Sequence, residues 1–379
     1  MKKILYIVST LKKTGPTNQL FNIVKNLDKS HYEPELITLS PEPFDSRWDD
    51  FAALGVKMHT LGLSRLAGLF CGRKRLARLV QSISPMLIHT QGARADILSA
   101  SLRVALPRIC TVRNFPQLDY KMTYGPILGP LLAARQTAAF SRMTLCCCVS
   151  DAVRGNLQNQ YGLQNSQTVL NGVDDGFFTP ATSEKKKKIR ERLGVDAKGV
   201  VWLSTIGKDA RKNSTVVVSA FLDLLRQRVD DTLIFVGDGE LRSVCEEMAG
   251  GSDKIRFAGK TNDIRSYLQA SDYFISASKA EGMPNAVLEA MACGLPVVLS
   301  SIDPHMEIKQ LNPSGAFLFD FVGEQSLLCT LSNIDTAAWE VQSKASLETV
   351  SLYFSSRAMS LKYQTIYSRL IKVDNNENL

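Results

Sequence analysis

The chain has 379 residues, 45% of them hydrophobic and 22% charged, which is enough apolar material for two folded domains and excludes an intrinsically disordered protein. No apolar run reaches the roughly 18 to 20 residues of a membrane span, and the run near the first residue ends too soon for a signal peptide. The eight cysteines contain no Cys-x-x-Cys pair, so neither a zinc site nor a disulfide framework is favoured, and we expect a reducing, cytoplasmic location.

The net charge of +8 is concentrated in the first half of the chain. Residues 57–142 carry 13 lysines and arginines against 2 acidic residues, whereas residues 181–379 carry 24 against 25. The first half is therefore expected to face a negatively charged partner. No helix-turn-helix, zinc-finger or aromatic RNA-binding pattern occurs, so nucleic acid is not the expected partner.

Strand and helix patterns alternate from the start of the chain. The apolar run from Lys3 to Val8 predicts a buried parallel strand, and a turn at Gly15 leads into a predicted helix over 18–27. Further strands are predicted over residues 35–39, 86–89, 109–112 and 145–149. Ligands of such α/β sheets bind at the carboxyl ends of the strands, so we look for functional residues there.

Two segments of the first half, 63–80 and 120–143, interleave apolar and basic residues. Basic amphipathic segments lie on anionic lipid surfaces, where each Lys or Arg contributes on the order of 1 kcal/mol. The alternative is an ordinary solvated helix that packs on the sheet. The sequence leaves both interpretations open.

Asn171 and Gly172 form a turn signal that closes the first half, and residues 179–198 follow as a predicted linker with a short charged helix. A second series begins with a predicted strand over 200–206 and a glycine turn at Gly207, and further strands are predicted over 232–236, 272–276 and 295–299. Three cations on this turn are well placed to bind a diphosphate, namely Lys208, Arg211 and Lys212. A P-loop NTPase is excluded because no Gly-x-x-x-x-Gly-Lys-Ser/Thr pattern occurs.

The segment 276–298 is the most informative part of the sequence. Pro284 suits the first turn of a helix, and Gly294 stands where a left-handed residue would end it. The amides at the start of that helix would lack helical partners and would form an anion site. Glu281 precedes the helix, and the side chain of Glu289 leans back towards the same opening. We therefore expect a polar, anionic ligand here, the alternative being an ordinary helix start with two solvated carboxylates.

The residues 281–298 read Glu-Gly-x-Pro-x-x-x-x-Glu-Ala-Met-Ala-x-Gly-x-Pro-Val-Val, which closely resembles the Glu-x7-Glu signature of retaining glycosyltransferases of family 4. The resemblance implies the GT-B fold, in which two doubly wound Rossmann-like α/β domains face each other across a cleft. The implied organisation is an acceptor-binding domain over 1–178, a linker over 179–198, a nucleotide-sugar-binding domain over 199–353, and a C-terminal helix over 354–379 that returns to the first domain.

The resemblance also implies roles for individual residues of the second half. Glu281 would face the hexose and Glu289 the ribose of a nucleotide-sugar. Lys208 stands at the position of the family's diphosphate-binding Arg and Lys212 at that of its Lys, with Arg211 as the competitor because the loop is one residue short. The other implied donor-binding residues are Gly15, Gly207, Asn262, Gly282, Met283, Pro284 and Asn285.

The first half departs from the family pattern at the strand ends. His89 matches the first position of the family's His-x-His, but Gln91 replaces the second histidine. Arg113 stands where many members place a histidine at the donor sugar, so Arg113 could instead hold an anionic or hydroxyl-bearing acceptor. Asn171 resembles the asparagine at the family's interdomain crossing.

The implied reaction is transfer of a hexosyl group from a UDP- or GDP-sugar, with retention, to a saccharide acceptor. We expect a polyprenyl-diphosphate-linked acceptor in surface polysaccharide (O-antigen type) synthesis, reached from the inner face of the cytoplasmic membrane through residues 63–80 and 120–143. No cofactor and no metal are expected, since no Asp-x-Asp pair occurs. The alternatives are a nucleotide-sugar 2-epimerase of the same fold and a non-catalytic sugar-nucleotide-binding protein.

Overall fold

The computed structural model describes residues 1–195, 198–207, 209–320 and 323–376. The chain divides into two compact units, each built on a parallel β-sheet. The first unit contains Met1–Gly172 and the C-terminal segment from Ser356 onward, and the second contains Val173–Ser355. The division falls after Gly172 rather than after residue 178, and the helix within the predicted linker belongs to the second unit.

The sheet of the first unit has, in the described residues, seven parallel strands in the order β3-β2-β1-β4-β5-β6-β7. The strands are β1 Lys2–Val8, β2 Tyr32–Thr38, β3 Lys57–Thr60, β4 Leu87–Gln91, β5 Arg108–Val112, β6 Leu145–Cys148 and β7 Ser166–Thr168. The chain winds outward from β1 in one direction and then from β4 in the other. This places the topological switch point, where ligands of such sheets bind, between β1 and β4.

The helices of this unit connect consecutive strands, except for a last helix contributed by the C-terminal segment. They are α1 Gly15–Lys25, α2 Trp48–Ala53, α3 Arg65–Ile83, α4 Ala93–Ala100, α5 Pro116–Phe140, α6 Asp151–Tyr161 and α15 Ser356–Asn376. Helix α1 begins three residues before its predicted start because Pro16 fits the first turn of a helix. Helix α15 packs against α1 and buries Tyr363 and Tyr367 in the core of the first unit.

The second unit repeats this arrangement with six described parallel strands in the order β10-β9-β8-β11-β12-β13. The strands are β8 Val201–Ile206, β9 Thr232–Gly237, β10 Ile255–Gly259, β11 Tyr273–Ser276, β12 Val297–Ser300 and β13 Ala316–Phe319. The helices are α7 Ser183–Arg192, α8 Ser214–Leu224, α9 Arg242–Ala249, α10 Ile264–Ala270, α11 Asn285–Ala292, α12 Asp303–Leu311, α13 Glu324–Asn333 and α14 Trp339–Thr349. The switch point of this sheet lies between β8 and β11.

The predicted fold class, two doubly wound parallel α/β sheets, is confirmed. The central strands are buried apolar runs; Trp202 and Tyr273, for example, stack within the second sheet with ring centroids 4.6 Å apart. Four strands were not predicted, namely β3, β7, β10 and β13. Each lies at or near a sheet edge, and the sequences of β3 and β7 are too polar to give an apolar run.

The two basic segments of the first unit coincide with α3 and α5, which both pack against α4. Both helices leave large apolar side chains exposed, and Phe70 on α3 is 89% exposed. Helix α5 is kinked at Gly125, which has a φ of 80°. Of the helices described here, none combines the length and apolar character needed to cross a membrane.

Candidate active site

The switch point of the second sheet brings together two loops that carry predicted site residues. The loop after β8 contains Gly207 and a short 3₁₀ turn, Ala210–Lys212, and the loop after β11 leads through Glu281 into α11. Loops that follow neighbouring strands at a switch point enclose the crevice in which ligands of such sheets bind.

Lys212 and Glu281 form an ion pair between these two loops. Lys212 Nζ donates to Glu281 Oε1 at 2.7 Å, and the two side chains remain 27% and 20% exposed. Ser278 Oγ donates to the same carboxylate oxygen at 2.9 Å. Burial would raise the pKa of Glu281, but the Lys212 charge and these hydrogen bonds outweigh burial and hold the pKa below its usual value. Glu281 is therefore an ionised carboxylate at neutral pH.

Glu289, on the second turn of α11, is in a different electrostatic state. Burial raises the pKa of Glu289 to about 7, and the Lys212 charge only partly opposes that shift. Within the described part of the chain, nothing donates a hydrogen bond to its carboxyl group. Because Lys212 acts on both carboxyl groups, Glu281 and Glu289 share one electrostatic environment, and Glu289 is the one that still lacks a donor.

The first turn of α11 lies between the two glutamates. Pro284 caps the helix in an extended conformation, with φ −80° and ψ 99°, and Asn285 is the first helical residue. The predicted row of exposed amides is smaller than expected, because Gly282, Met283 and Pro284 pack inward and are buried. Among the described residues, no acceptor takes the amides of Gly282 and Ala286. The helix start therefore keeps donors for an anion or a hydroxyl group.

The glycine turn after β8 places Lys212, and not Arg211, at Glu281. A Cβ atom at Gly207 would lie 2.6 Å from Lys212 Cγ, so the glycine provides the space that the lysine stem occupies. Arg211 instead pairs with Asp209, with 2.8 Å between Nη2 and Oδ2. Lys208, the other predicted cation, lies outside the described residues.

A chain of buried polar groups behind Glu281 was not predicted. Ser300 Oγ, at the end of β12, donates to the Ser278 carbonyl at 2.6 Å, and His305 Nδ1 lies 2.9 Å from the Ser300 carbonyl oxygen. Because a carbonyl only accepts, we assign the proton to Nδ1, which leaves Nε2 as an acceptor. Burial lowers the pKa of His305 to about 4, so the ring is neutral. These bonds fix the loop that carries Glu281.

Two polar atoms near this loop are buried without a partner among the described residues, His305 Nε2 and Asn213 Nδ2. Asn213 follows Lys212 directly and has a left-handed φ of 53°. One sequence signal could have revealed the buried polar groups behind Glu281. Two adjacent strands each end in a serine, Ser276 and Ser300, and strand ends face the crevice.

Asn262, predicted beside the nucleotide base, lies exposed in the loop between β10 and α10. Its side chain has no hydrogen bond within the described ranges. In the same ranges, no group of three or more His, Cys, Asp or Glu side chains is arranged to hold a metal ion. Among the described residues, Lys212 is the cation that pairs with Glu281.

His89, a predicted contact of the sugar or the acceptor, lies in the core of the first unit. The ring is fully buried, with Nδ1 2.8 Å from Tyr367 Oη and Nε2 2.8 Å from Thr111 Oγ1. Burial lowers the pKa of His89 to about 3, assisted by the Arg113 charge. Because both ring nitrogens are engaged inside the unit, the environment of His89 is that of a structural residue rather than of a ligand contact.

The remaining predicted residues of the first unit lie in different places. Gly15 is the first residue of α1, and Arg113 lines a cavity at the carboxyl edge of the sheet. Asn171 is buried beside Gly172, whose carbonyl accepts a hydrogen bond from Gln19 Nε2 at 2.9 Å. The structure thus brings Lys212, Glu281, Glu289 and Gly207 together, and it places His89 and Asn171 in the packed interior of the first unit.

Two protein-family models match the chain. The model "Glycosyltransferase Family 4" matches residues 14–177, and the model "Glycosyl transferases group 1" matches residues 197–324. Together these ranges include most of both units and the segment that carries Lys212, Glu281 and Glu289.

Similar proteins and structures agree with these matches. The chain is 24% identical over 387 residues to the Escherichia coli "O-antigen biosynthesis glycosyltransferase WclY", covering 98% of this chain and 99% of that protein. It is 33% identical over 143 residues to the E. coli "UDP-Gal:alpha-D-GlcNAc-diphosphoundecaprenol alpha-1,3-galactosyltransferase", covering 36% of each. The structure of Anabaena Alr3699/HepE in complex with UDP superposes with a TM-score of 0.79 at 18% identity, covering 98% of this chain and 100% of that one, which shows a shared fold.

Proposed function

Because the chain belongs to the family 4 glycosyltransferases, we propose that it transfers a hexosyl group from a UDP- or GDP-sugar, with retention, to a saccharide carried on a polyprenyl diphosphate. The observation that carries this proposal is the Lys212–Glu281 ion pair, 2.7 Å long, at the start of α11 and at the switch point of the second sheet. In this proposal the pair supplies the cation and the carboxylate that an activated sugar needs.

In this proposal Lys212 exchanges its partner when the donor binds. The diphosphate becomes the partner of the Lys212 ammonium in place of Glu281. Glu281, still bound by Ser278, then accepts hydrogen bonds from the hydroxyl groups of the hexose. Glu289 accepts from the ribose, which supplies the donors that its carboxyl group lacks in the described structure. As the bond from the anomeric carbon to the diphosphate breaks, Lys212 stabilises the developing negative charge without a metal ion.

The donor-side glycines and the acceptor-side residues complete the proposal. Gly207 accommodates Lys212, and Gly282 and Asn285 contribute to the helix start that meets the donor. Gly15 stays a predicted donor-binding residue. Lys208 stays a predicted second cation, and Asn262 a predicted neighbour of the base. Arg113 is proposed to contact the acceptor, and the relative that acts on a diphosphoundecaprenol-linked sugar supports an acceptor of that kind.

We further propose that the first unit binds the inner face of the cytoplasmic membrane through α3 and α5. Apolar side chains stand exposed on both helices, Leu66, Leu69 and Phe70 on α3 and Ile127, Leu128 and Leu131 on α5. The two segments also carry arginines and lysines, which are attracted to anionic lipid. Co-sedimentation with phosphatidylglycerol vesicles should be lost at high salt and reduced by Phe70→Ser, whereas Leu361→Ser, at an exposed position on α15, should leave it unchanged. Failure to bind such vesicles at low salt would favour a freely diffusing acceptor.

The experiment that tests the function is turnover with a panel of UDP- and GDP-hexoses, with and without a polyprenyl-diphosphate-linked sugar. We expect nucleotide release that requires the acceptor, and a product that keeps the anomeric configuration of the donor. Interconversion of the free nucleotide-sugar without acceptor would identify the 2-epimerase instead. Binding that raises the melting temperature without any turnover would identify a non-catalytic sugar-nucleotide-binding protein.

A further inference from the structure

A cavity of about 380 Å³ opens at the carboxyl ends of β1, β4 and β5 in the first unit. Its position is the switch point of the first sheet, where such folds bind ligands. Ligand pockets typically measure roughly 300 to 1,000 Å³, so this cavity has room for one small polar group. Its polar lining includes Thr10, Thr17, Gln91, Arg113, Tyr120 and Gln136.

Arg113 brings a positive charge to this cavity that no carboxylate pairs with in the described part of the chain. Its Nη2 donates to the neutral Gln91 Oε1 at 2.7 Å, and its buried Nε has no acceptor among the same residues. Burial lowers the pKa of Arg113 to about 10, so the guanidinium is still charged at neutral pH. Arg113 is only partly exposed, and removing a charge from water without a partner is destabilising, which favours a site that receives an anion from a ligand.

Gln91, beside Arg113, offers a second unused donor at the cavity. The side chain is 7% exposed, and its Oε1 is occupied by Arg113. Its Nε2 is buried and finds no acceptor among the described residues. Two neighbouring side chains on β4 and after β5 therefore hold unused N–H groups at one cavity.

Two acceptors in this region, Asp96 beside the cavity and Gln136 in its lining, already accept hydrogen bonds. Asp96, fully buried, accepts from Thr90 Oγ1 at 2.6 Å and from Gln136 Nε2 at 2.8 Å. Gln136 Oε1 in turn accepts from Tyr120 Oη at 2.7 Å. Burial raises the pKa of Asp96 to about 7, so at neutral pH its charge offsets that of Arg113 only in part. The lining is left with unpaired donors.

We propose that this cavity binds the anionic group of the acceptor, with Arg113 as the charge that selects it and Gln91 as the neighbouring donor. The ligand class is a phosphate or carboxylate group small enough for the cavity. The inference rests on the proposed function only in assigning the anion to the acceptor; the anion site itself stands on the contacts of Arg113 and Gln91. The anion could come from a lipid diphosphate or from an acidic sugar.

The test measures binding to the full chain by isothermal titration calorimetry with four probes. Farnesyl diphosphate and farnesol test the lipid source, and methyl glucuronide and methyl glucoside test the acidic-sugar source. One anionic probe should bind, its uncharged counterpart should not, and Arg113→Gln should weaken the binding about tenfold or more. Arg113→Lys should restore part of the affinity, and Arg103→Gln, on an exposed arginine of the same unit, should leave it unchanged.

Three further readouts separate this inference from a structural role for Arg113. Arg113→Gln should raise KM for the lipid-linked acceptor about tenfold and leave the Kd for UDP unchanged. The unfolding midpoint should be unchanged or higher, because a partly buried charge with no direct carboxylate partner in the described residues has been removed. The inference is overturned if Arg113→Gln unfolds the protein, if it binds both anions like the wild type, or if neither anion binds the wild type. Failure of the proposed function would look different, since turnover would be absent while anion binding at Arg113 remained.

Discussion

The two units wind their sheets in the same way but differ in the charges at the switch points. In the second unit, the Lys212 ammonium already has a counter-ion, Glu281, at 2.7 Å. In the first unit, the Arg113 guanidinium faces a neutral amide, Gln91, and has no carboxylate partner in the described residues. In both proposals the ligand binds at the switch point of the sheet. The pairing of charges at that place determines whether the ligand displaces an internal partner or supplies a missing one.

The largest expected effect comes from removing the paired cation. Lys212→Gln should lower kcat at least 100-fold, because a preorganised contact to the leaving group typically contributes about 3 kcal/mol to the barrier. The measurement is nucleotide release at saturating donor and acceptor. Arg211→Gln is the matched control, since Arg211 pairs with Asp209 and not with Glu281, and it should cost less than tenfold. Equal losses in both variants would contradict the assignment of Lys212.

The pH dependence of donor binding should distinguish Glu289 from its ion-paired neighbour. Burial raises the pKa of Glu289 to about 7, so this carboxyl is protonated in much of the free enzyme at pH 6 and ionised at pH 8. Because ribose hydroxyls donate to the ionised form, the affinity for UDP should fall about tenfold as the pH falls from 8 to 6. Calorimetric titration of the protein with UDP at pH values from 6 to 8 measures this change in affinity. Glu289→Gln should flatten the profile, and a profile that is unchanged in this variant would assign the titration to another group.

A smaller effect is expected from filling the space beside Lys212. In Gly207→Ala the new methyl group would lie 2.6 Å from Lys212 Cγ and push the ammonium away from Glu281, so kcat should fall about tenfold. Gly155→Ala, on α6, is the control, because a Cβ there meets nothing within 4 Å. This control should keep full activity and gain up to about 1 kcal/mol of stability. Full activity in Gly207→Ala would mean that the position of Lys212 is not critical.

The smallest expected effect comes from the polar chain behind Glu281. Ser278→Ala removes the 2.9 Å hydrogen bond to Glu281 Oε1 but keeps the ion pair with Lys212. The loss of one such bond, about 1 kcal/mol, should weaken donor binding several-fold, measured as the Kd of the nucleotide-sugar. Anion binding at the first unit should be the same as in the wild type, because Ser278 belongs to the second unit. A loss as large as that of Lys212→Gln would show that Ser278 contacts the ligand itself.

The sequence predicted the alternating strands and helices well, because the central strands are apolar runs with clear turns between them. It also predicted α11 and its end at Gly294, which has the expected left-handed φ of 81°. It missed β3 and β7, because the pattern of an edge strand such as Lys57–Thr60 is polar and its pairing is set by the neighbouring strand. Such pairing is a long-range property that local composition does not contain.

The candidate site was predictable at the level of segments but not of side-chain partners. The spacing of Glu281 and Glu289 around one helix start could be read from the sequence, whereas the choice between Lys212 and Arg211 depended on the 3₁₀ turn that separates them in space. The environment of His89 could not be predicted from the sequence. Its position at a strand end suggested a ligand contact, but the tyrosines of α15, far away in the chain, occupy that space.

The central claim is that the donor diphosphate binds at the start of α11 and replaces Glu281 as the partner of Lys212. The most direct measurement is a crystal structure of the protein with bound UDP. The account predicts phosphate oxygens within hydrogen-bond distance of Lys212 Nζ, with the ribose hydroxyls on Glu289. A structure in which UDP binds elsewhere and the Lys212–Glu281 pair stays intact would contradict it.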